Sequence, residues 1–139
     1  MCYNIVNNYY VSQSRKAVNK ELKKDGDYNM YDKSQLMRGT LEGCILQILS
    51  RETSYGYQIV TSLTEYGFED IKEGTIYPLL VRLEKKNYIS STLRPSPLGP
   101  RRKYYSITDE GLTYLHGFIN CWNQVQKSVN EILNMEELL

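Results

Sequence analysis

The chemistry that this sequence can perform is concentrated in residues 82–103. That stretch holds seven Lys and Arg residues against one Glu, a local charge of +6, although the whole chain of 139 residues carries only +1. Tyrosines lie in or beside the stretch, at Tyr77, Tyr88, Tyr104 and Tyr105. Cations bind phosphate groups, and polar side chains orient such contacts by hydrogen bonding. The stretch therefore indicates a phosphate-binding surface.

The inventory of reactive side chains argues against an enzyme. The chain has one histidine, and it lacks a phosphate-binding loop and a GxSxG nucleophile motif. Its three cysteines are far apart, and even with His116 they lack the spacing of a zinc set. We therefore predict a protein that is not an enzyme and uses no metal and no cofactor. The cysteine usage fits the reducing cytoplasm, and no apolar run approaches the ~20 residues that span a bilayer.

Three helices are predicted ahead of the basic stretch or overlapping it. Apolar residues at helical spacing indicate one helix over 41–51 and a second over 55–66, with Thr53 and Ser54 as its N-cap region. A third begins around Glu73 to Thr75, and Asn87 ends it. With Thr75 as N-cap, Pro78 falls at the third helical position, where its missing N–H had no intrahelical partner.

After the third helix the pattern changes to that of a β-hairpin. Strands are predicted over 89–94 and 102–107, and the PSPLGPR segment between them is expected to be an irregular, extended tip. Alternation along the second strand divides its residues between two faces. The inner face receives Lys103, Tyr105 and Ile107, and the outer face receives Arg102, Tyr104 and Ser106.

A long helix over 109–134 is predicted from a heptad-like apolar seam. Such a seam on one long helix must be covered, and a two-fold partner covers it most simply, so we expect a homodimer. The dimerisation residues are predicted to be Leu115, Ile119, Trp122, Val125, Val129, Ile132 and Leu133. Trp122 either packs as an interface anchor or, with Phe118, binds a planar aromatic small molecule by stacking.

The predicted elements divide the chain into three parts. Residues 1–35 are expected to be a poorly fixed extension with a short helix over 12–24; alternatives are a Lys-rich arm on DNA phosphates and a translation start further downstream. Residues 36–108 have the element order of a winged helix-turn-helix, a mainly α fold with a small β-hairpin. Residues 109–139 hold the long C-terminal dimerisation helix. In a winged helix the later helix of the pair enters the major groove, and the wing contacts the backbone or the minor groove.

Four segments in this order resemble the PadR family of bacterial transcriptional regulators: GTLEGCILQIL, SYGYQIV, EGTIYPLLVRLEKKNYI and GPRRKYYSITDEG. The resemblance runs from Leu36 to about Leu133 and favours the small branch with a single C-terminal helix, which includes multidrug-sensing regulators. It implies a dimer that represses nearby genes by binding an operator in double-stranded DNA. The DNA-binding positions that it implies are Tyr55, Thr75, Tyr77, Pro78, Arg82, Arg101, Arg102 and Lys103. It also implies that Trp122 stacks on a drug between subunits.

Two functions from different classes are open at this point. One is a ligand-responsive repressor, which the basic stretch favours. The other is a winged-helix module for protein–protein contact without sequence-specific DNA binding. Single residues have alternatives as well, since Arg82 and Lys85 fit a solvated helix face, Tyr77 could pack against the wing, and the basic run at 101–103 could protect an edge strand by charge.

Overall fold

The structure, a computed structural model, describes residues 31–133. The fold described below lies in the unit Ser34–Leu139, apart from the first residue of its first helix. The helix expected over 12–24 lies outside the described residues. In chain order the elements are α1 (Lys33–Arg38), α2 (Leu41–Arg51), β1 (Ser54–Tyr55), α3 (Gly56–Glu65), α4 (Glu73–Lys85), β2 (Ile89–Ser96), β3 (Gly99–Ile107) and α5 (Asp109–Leu133).

One apolar core joins α2, α3 and α4 to the sheet. The helical repeat of each helix places its aliphatic residues on one face, as the sequence predicts. Burial of each such side chain stabilises the fold by about 1.5–3 kcal/mol. The fully buried aliphatic residues are Ile45, Leu46, Ile59, Leu63, Ile76, Leu80, Leu83 and Ile89.

Helices α3 and α4 end in the same backbone motif. Gly67 and Asn87 follow their helices with positive φ values of 97° and 60°. The next amide in each case donates back to the helix, from Phe68 to Leu63 O and from Tyr88 to Leu83 O, both at 3.0 Å. This Schellman arrangement satisfies carbonyls that the helix end leaves without partners. It stops α4 at the residue predicted from the sequence and turns the chain directly into β2.

The N-caps of α3 and α4 differ from the prediction. Ser54 and Tyr55 form a short strand against β3, so α3 begins at Gly56 and the chain is extended where an N-cap at residues 53–54 was expected. Helix α4 begins at Glu73, within the predicted range, but its N-cap is Lys72 and not Thr75, which places Pro78 at the sixth position. The proline has no amide hydrogen, so the carbonyl of Gly74 loses its helical donor.

The sheet has three antiparallel strands in the order β1-β3-β2. The hairpin strands are longer than predicted, because pairing continues to Ser96 and Gly99 around the two-residue turn at 97–98. A register shift between Arg94 and Ser96 accommodates Pro95, which cannot donate to a strand ladder. The prolines therefore produce a bulge, and the irregular tip expected from the sequence is much shorter.

Helix α5 has two halves with different surroundings. Leu115 is buried in the core, and the Phe118 ring packs against α2 at Gly43. From residue 119 to residue 133 every side chain is exposed, over a length of about 22 Å. No helix within residues 31–133 is long and apolar enough to cross a membrane.

The start of α5 is fixed to the corner between α4 and β2. Thr108 Oγ1 donates to Asn87 O at 2.7 Å and accepts from the amide of Gly111 at 3.0 Å, so it caps α5. The Thr108 amide donates to Tyr88 O at 3.1 Å, and the rings of Tyr88 and Tyr114 stack at 4.3 Å. A Cβ atom at Gly111 would overlap Tyr88 O, which leaves room only for glycine.

Alanine substitutions at glycines should separate close packing from helix propensity. Gly111→Ala or Gly43→Ala should lower the free energy of unfolding by about 1–3 kcal/mol, because the new methyl group overlaps Tyr88 O or the Phe118 ring. Gly117→Ala is the matched control, since nothing lies within 4 Å of its Cβ position and the helix should gain about 0.5–1 kcal/mol. Urea unfolding measures all three; equal effects would contradict this packing of α5.

Candidate nucleic-acid interface

A surface groove of about 550 Å³ lies in front of the N-terminal half of α4. We call it the α4 groove. Its walls come from the starts of α3 and α4 and from the middle of β3. Four of the eight DNA-binding residues predicted from the sequence line it: Tyr55, Tyr77, Arg102 and Lys103. The fold therefore brings the helix-turn-helix and the wing together around one concave surface.

The N-terminal half of α4 presents polar and small side chains to solvent. Thr75, Tyr77 and Pro78 are exposed, while Ile76 and Leu80, which also line the α4 groove, are fully buried. Tyr77 is 56% exposed and also lines the α4 groove beside β3. It therefore contacts solvent and borders the wing at the same time. This half of α4 has the accessibility that reading of base edges in the major groove requires.

Arg82 is engaged within the domain. Its Nε atom donates to Glu42 Oε1 of α2 at 2.6 Å, so the guanidinium joins α4 to α2. Lys85, one turn further along α4, is exposed. Arg82 is also exposed, but unlike Thr75, Tyr77 and Pro78 it is held by an ion pair within the domain.

Glu84 joins α4 to the inner face of the wing. Its carboxylate accepts a hydrogen bond from Ser91 Oγ of β2 and one from Lys103 Nζ of β3 at 2.8 Å. The hydrogen bond from Lys103, with that from Ser91, holds the pKa of Glu84 below its usual range, and the same contact raises the pKa of Lys103. The inward orientation of Lys103 and Tyr105 is confirmed, and burial raises the pKa of Tyr105. The Lys103 charge is therefore paired.

The outer face of the wing holds cations over aromatic rings. The Arg102 guanidinium carbon lies 4.6 Å from the centre of the Tyr55 ring, and that of Arg94 lies 4.6 Å from the Tyr104 ring. The two rings are 5.2 Å apart and inclined by 58°. Arg101 is exposed on the same hairpin. Unlike Lys103, these three arginines form no ion pair with a carboxylate of residues 31–133.

Sequence reasoning missed three participants in this surface. Arg94 and the two carboxylates Glu42 and Glu84 were not among the predicted site residues. Arg94 lies directly opposite Arg102, which follows from the Ile89–Ile107 register. That register could have been extended from the sequence, had the Pro-rich tip been recognised as a two-residue turn with a bulge.

The predicted dimerisation and ligand residues fall into two groups. Leu115 is 3% exposed in the core of its own chain, and Phe118 packs against the core, so neither belongs to the exposed part of the seam. The others are exposed along the second half of α5. Their exposed fractions run from 38% to 79% for Ile119, Trp122, Val125, Val129, Ile132 and Leu133.

The helices, the paired wing and the long terminal helix define a winged helix-turn-helix regulator. Residues 45–117 match the model of the transcriptional regulator PadR-like family, which is more than half of the chain. The chain therefore belongs to the PadR-like family of DNA-binding transcriptional regulators, and this family is not one of enzymes.

Relatives agree with this assignment. The chain is 51% identical to a PadR-like transcriptional regulator from Bacillus cereus strain ATCC 14579, over 72% of this chain and 97% of that one, with a TM-score of 0.65. It is 44% identical to a Streptococcus transcriptional regulator, over 72% of this chain and 98% of the other, with a TM-score of 0.64. An uncharacterized protein from Lysinibacillus sphaericus is 35% identical over 101 residues, which are 70% of this chain and 92% of the relative.

The Glu84–Lys103 contact predicts a pH-dependent contribution to stability. Because the folded pKa of Glu84 is lowered, its contribution is present above the ordinary glutamate pKa and is lost as pH falls through the lowered value. Lys103 stays charged over that range, since its pKa is raised. Glu84→Gln should lower the melting temperature at pH 7 by roughly 1–4 °C, a small effect because both side chains are partly exposed.

The comparison with wild type is repeated at an acid pH below the folded pKa of Glu84. The difference in melting temperature should shrink there, because wild-type Glu84 becomes protonated. Glu65→Gln is the control, since Glu65 is an exposed residue of α3 without an ion pair in residues 31–133. A Glu84→Gln difference that is the same at both pH values would show that the carboxylate charge does not stabilise the wing.

Proposed function

We propose that this protein is a dimeric repressor that binds an operator in double-stranded DNA through α4 and the wing. The observation that carries the proposal is the α4 groove, where the exposed Tyr77 of α4 shares one concave surface with Tyr55 of β1 and with Arg102 and Lys103 of the wing. Thr75, Tyr77 and Pro78 are assigned to base edges, and Arg101 and Arg102 to the phosphate backbone, with Tyr55 positioning Arg102. Lys103 and Arg82 chiefly hold the wing and α2 against α4. Because its proposed partner is DNA, we expect the protein to act in the cytoplasm.

A salt series on DNA binding tests this function against the protein–protein alternative. The protein should bind a duplex from the region upstream of its own gene, and log K should fall linearly with log salt concentration. A scrambled duplex of equal length should bind more weakly. Thr75→Ala should reduce the ratio of the two binding constants, because Thr75 is assigned to base edges. Fluorescence anisotropy measures each constant. Failure to bind any duplex at low salt would leave the protein–protein module as the better account.

The exposed seam of α5 supports the dimer. The exposed apolar residues from 119 onward form one contiguous stripe and are not scattered singly over the surface. Contiguous apolar patches of this kind mark interaction sites. A second copy of the chain offers the same stripe, so two helices related by a two-fold axis cover each other. The dimer would place two α4 helices on one side of a duplex, which pseudo-palindromic operators require.

Charged substitutions on the two sides of α5 test the interface without disturbing the core. Val125→Glu with Val129→Glu should convert the dimer to a monomer and weaken operator binding, because two carboxylates would be buried at the seam. Asn120→Glu with Gln124→Glu adds equal charge to the other side of the helix and should leave the dimer intact. Analytical ultracentrifugation gives the mass of each variant, and a wild-type monomer at micromolar concentration would contradict the proposal.

Trp122 supports a finer proposal, binding of a planar aromatic effector between the subunits. Its indole is 44% exposed on the seam, and Phe118 beside it is only partly buried. Two symmetry-related indoles facing a gap could stack on a flat molecule, at about 0.5–1.5 kcal/mol for each aromatic pair beyond area burial. An effector of this kind would release DNA only if it favoured a dimer with the wrong spacing of its α4 helices.

A dye titration tests the effector proposal separately from DNA binding. Ethidium or Hoechst dye should quench the fluorescence of Trp122, which is the one tryptophan in the chain, and should lower operator affinity. In Trp122→Leu, which keeps an apolar side chain at the seam, dye binding should weaken while the dimer persists. Dye binding of unchanged strength in Trp122→Leu would locate the ligand elsewhere and leave Trp122 as an interface residue.

A further inference from the structure

The outer face of the sheet carries an arrangement of four side chains that spans all three strands. It consists of Tyr55 on β1, Arg102 and Tyr104 on β3 and Arg94 on β2, and we call it the tyrosine–arginine cluster. The register sets Tyr55 opposite Tyr104 and Arg94 opposite Arg102. Because residues two apart on a strand share a face, the four side chains lie on the same side of the sheet.

The arrangement carries two positive charges that no carboxylate of the described residues neutralises. Like charges directly opposite each other on paired strands destabilise a sheet. Neither Arg94 nor Arg102 has a carboxylate partner in residues 31–133, and the strand residues that share this face are Ser90, Thr92 and Ser106. On the inner face, in contrast, Glu84 neutralises Lys103. An anion between the two arginines would remove the repulsion.

The tyrosine rings hold both arginines in place. Each guanidinium carbon lies 4.6 Å from a ring centre, which is within the range of a cation–π contact. The two rings also contact each other at 5.2 Å, so the positions of the four side chains depend on one another. A guanidinium has five N–H donors, and a contact with a ring face leaves these donors available for oxygen acceptors. Guanidinium groups match phosphate geometry with two parallel hydrogen bonds.

We infer that the tyrosine–arginine cluster binds phosphodiester groups of a DNA backbone, with Arg94 and Arg102 as the contacting residues and Tyr55 and Tyr104 as positioning residues. This inference rests on the proposed function. Tyr55 and Arg102 also line the α4 groove, so a backbone that passes along that groove reaches the cluster at its edge. Arg94, on the far strand, extends the contact across the sheet. The wing thus engages the backbone with the outer face of its strands in addition to its tip.

Arginine substitutions measured against salt concentration test the inference. Arg94→Gln and Arg102→Gln should each reduce the slope of log K against log salt by about 1, because each removes one phosphate contact. A change of that size corresponds to about fivefold weaker binding near 0.15 M salt, and the loss should be equal for the upstream duplex and for a scrambled one. Lys127→Gln is the control, since Lys127 is an exposed cation on α5, remote in sequence from the wing, with only a long contact of 3.9 Å to Glu131.

The tyrosines are tested by a pair of variants at one position. Tyr104→Phe keeps the ring under Arg94 and should bind DNA like wild type. Tyr104→Leu removes the ring but no charge, so it should weaken binding several-fold while the salt slope stays the same. A melting curve for each variant shows whether the fold is intact. If Tyr104→Leu is unfolded, the salt slopes of the two arginine variants test the phosphate contacts without it. Arg94 and Arg102 are exposed, so their substitution should leave the fold intact.

The possible outcomes separate this inference from the proposed function. One outcome is that wild-type protein binds both duplexes and that Arg94→Gln and Arg102→Gln have the same salt slope as wild type. This outcome would overturn the cluster as a phosphate site and leave operator binding in place. Wild-type protein that binds no duplex would overturn both. A reduced slope in Arg102→Gln alone would confine the contact to the edge of the α4 groove and contradict the role given to Arg94.

Discussion

Thr108 and the corner at Asn87 and Tyr88 connect four elements through a few atoms. Helix α4 ends there in a left-handed residue, β2 begins there, and β3 returns there to start α5. The Thr108 side chain bonds Asn87 O and the Gly111 amide, and its own amide bonds Tyr88 O. The direction of α5 relative to α4 depends on this corner. In a dimer formed along α5, the corner would therefore set the distance between the two α4 helices.

The same connection offers a physical route from the seam of α5 to the DNA surface. A change in the angle between the two α5 helices would move Gly111 and Tyr114, which contact Tyr88 at the end of α4. The close approach at Gly111 leaves no room for sliding, so α4 and the start of α5 would move together. In the proposed dimer, a rigid connection of this kind would convert a small rotation at the interface into a change in half-site spacing. An effector bound at the seam would act on the α4 helices through the same connection.

Charge pairing divides the basic residues of this surface into two sets, and a count of lysines and arginines does not reveal the division. Glu42 engages Arg82, and Glu84 engages Lys103, so both cations hold the domain together. Arg94, Arg101 and Arg102 keep their charge without a carboxylate partner among the described residues. The basic stretch seen in the sequence thus divides into cations that are paired with a carboxylate and arginines that have no such partner among the described residues.

Local patterns predicted most of the fold. The aliphatic repeat at Ile45, Leu46 and Leu49 specifies α2, and strand alternation assigns Tyr105 to the core. Local patterns failed at β1, where a distant partner decides the backbone: Ser54 and Tyr55 are extended because β3 pairs with them. They also failed for the N-cap of α4, because this helix tolerates Pro78 beyond its first turn. The carboxylate partners Glu42 and Glu84 also required the structure, because they lie 40 and 19 residues from their cations.

The central claim is that two copies of this domain place their α4 helices in successive major grooves of one duplex. A hydroxyl-radical footprint on the region upstream of the gene tests it most directly. The account predicts two protected patches related by two-fold symmetry on one face of the DNA, with centres about 34 Å apart or a multiple of that distance. Additional protection of the backbone should flank each patch where the wings lie. A single protected patch at saturating protein, or protection without two-fold symmetry, would contradict it.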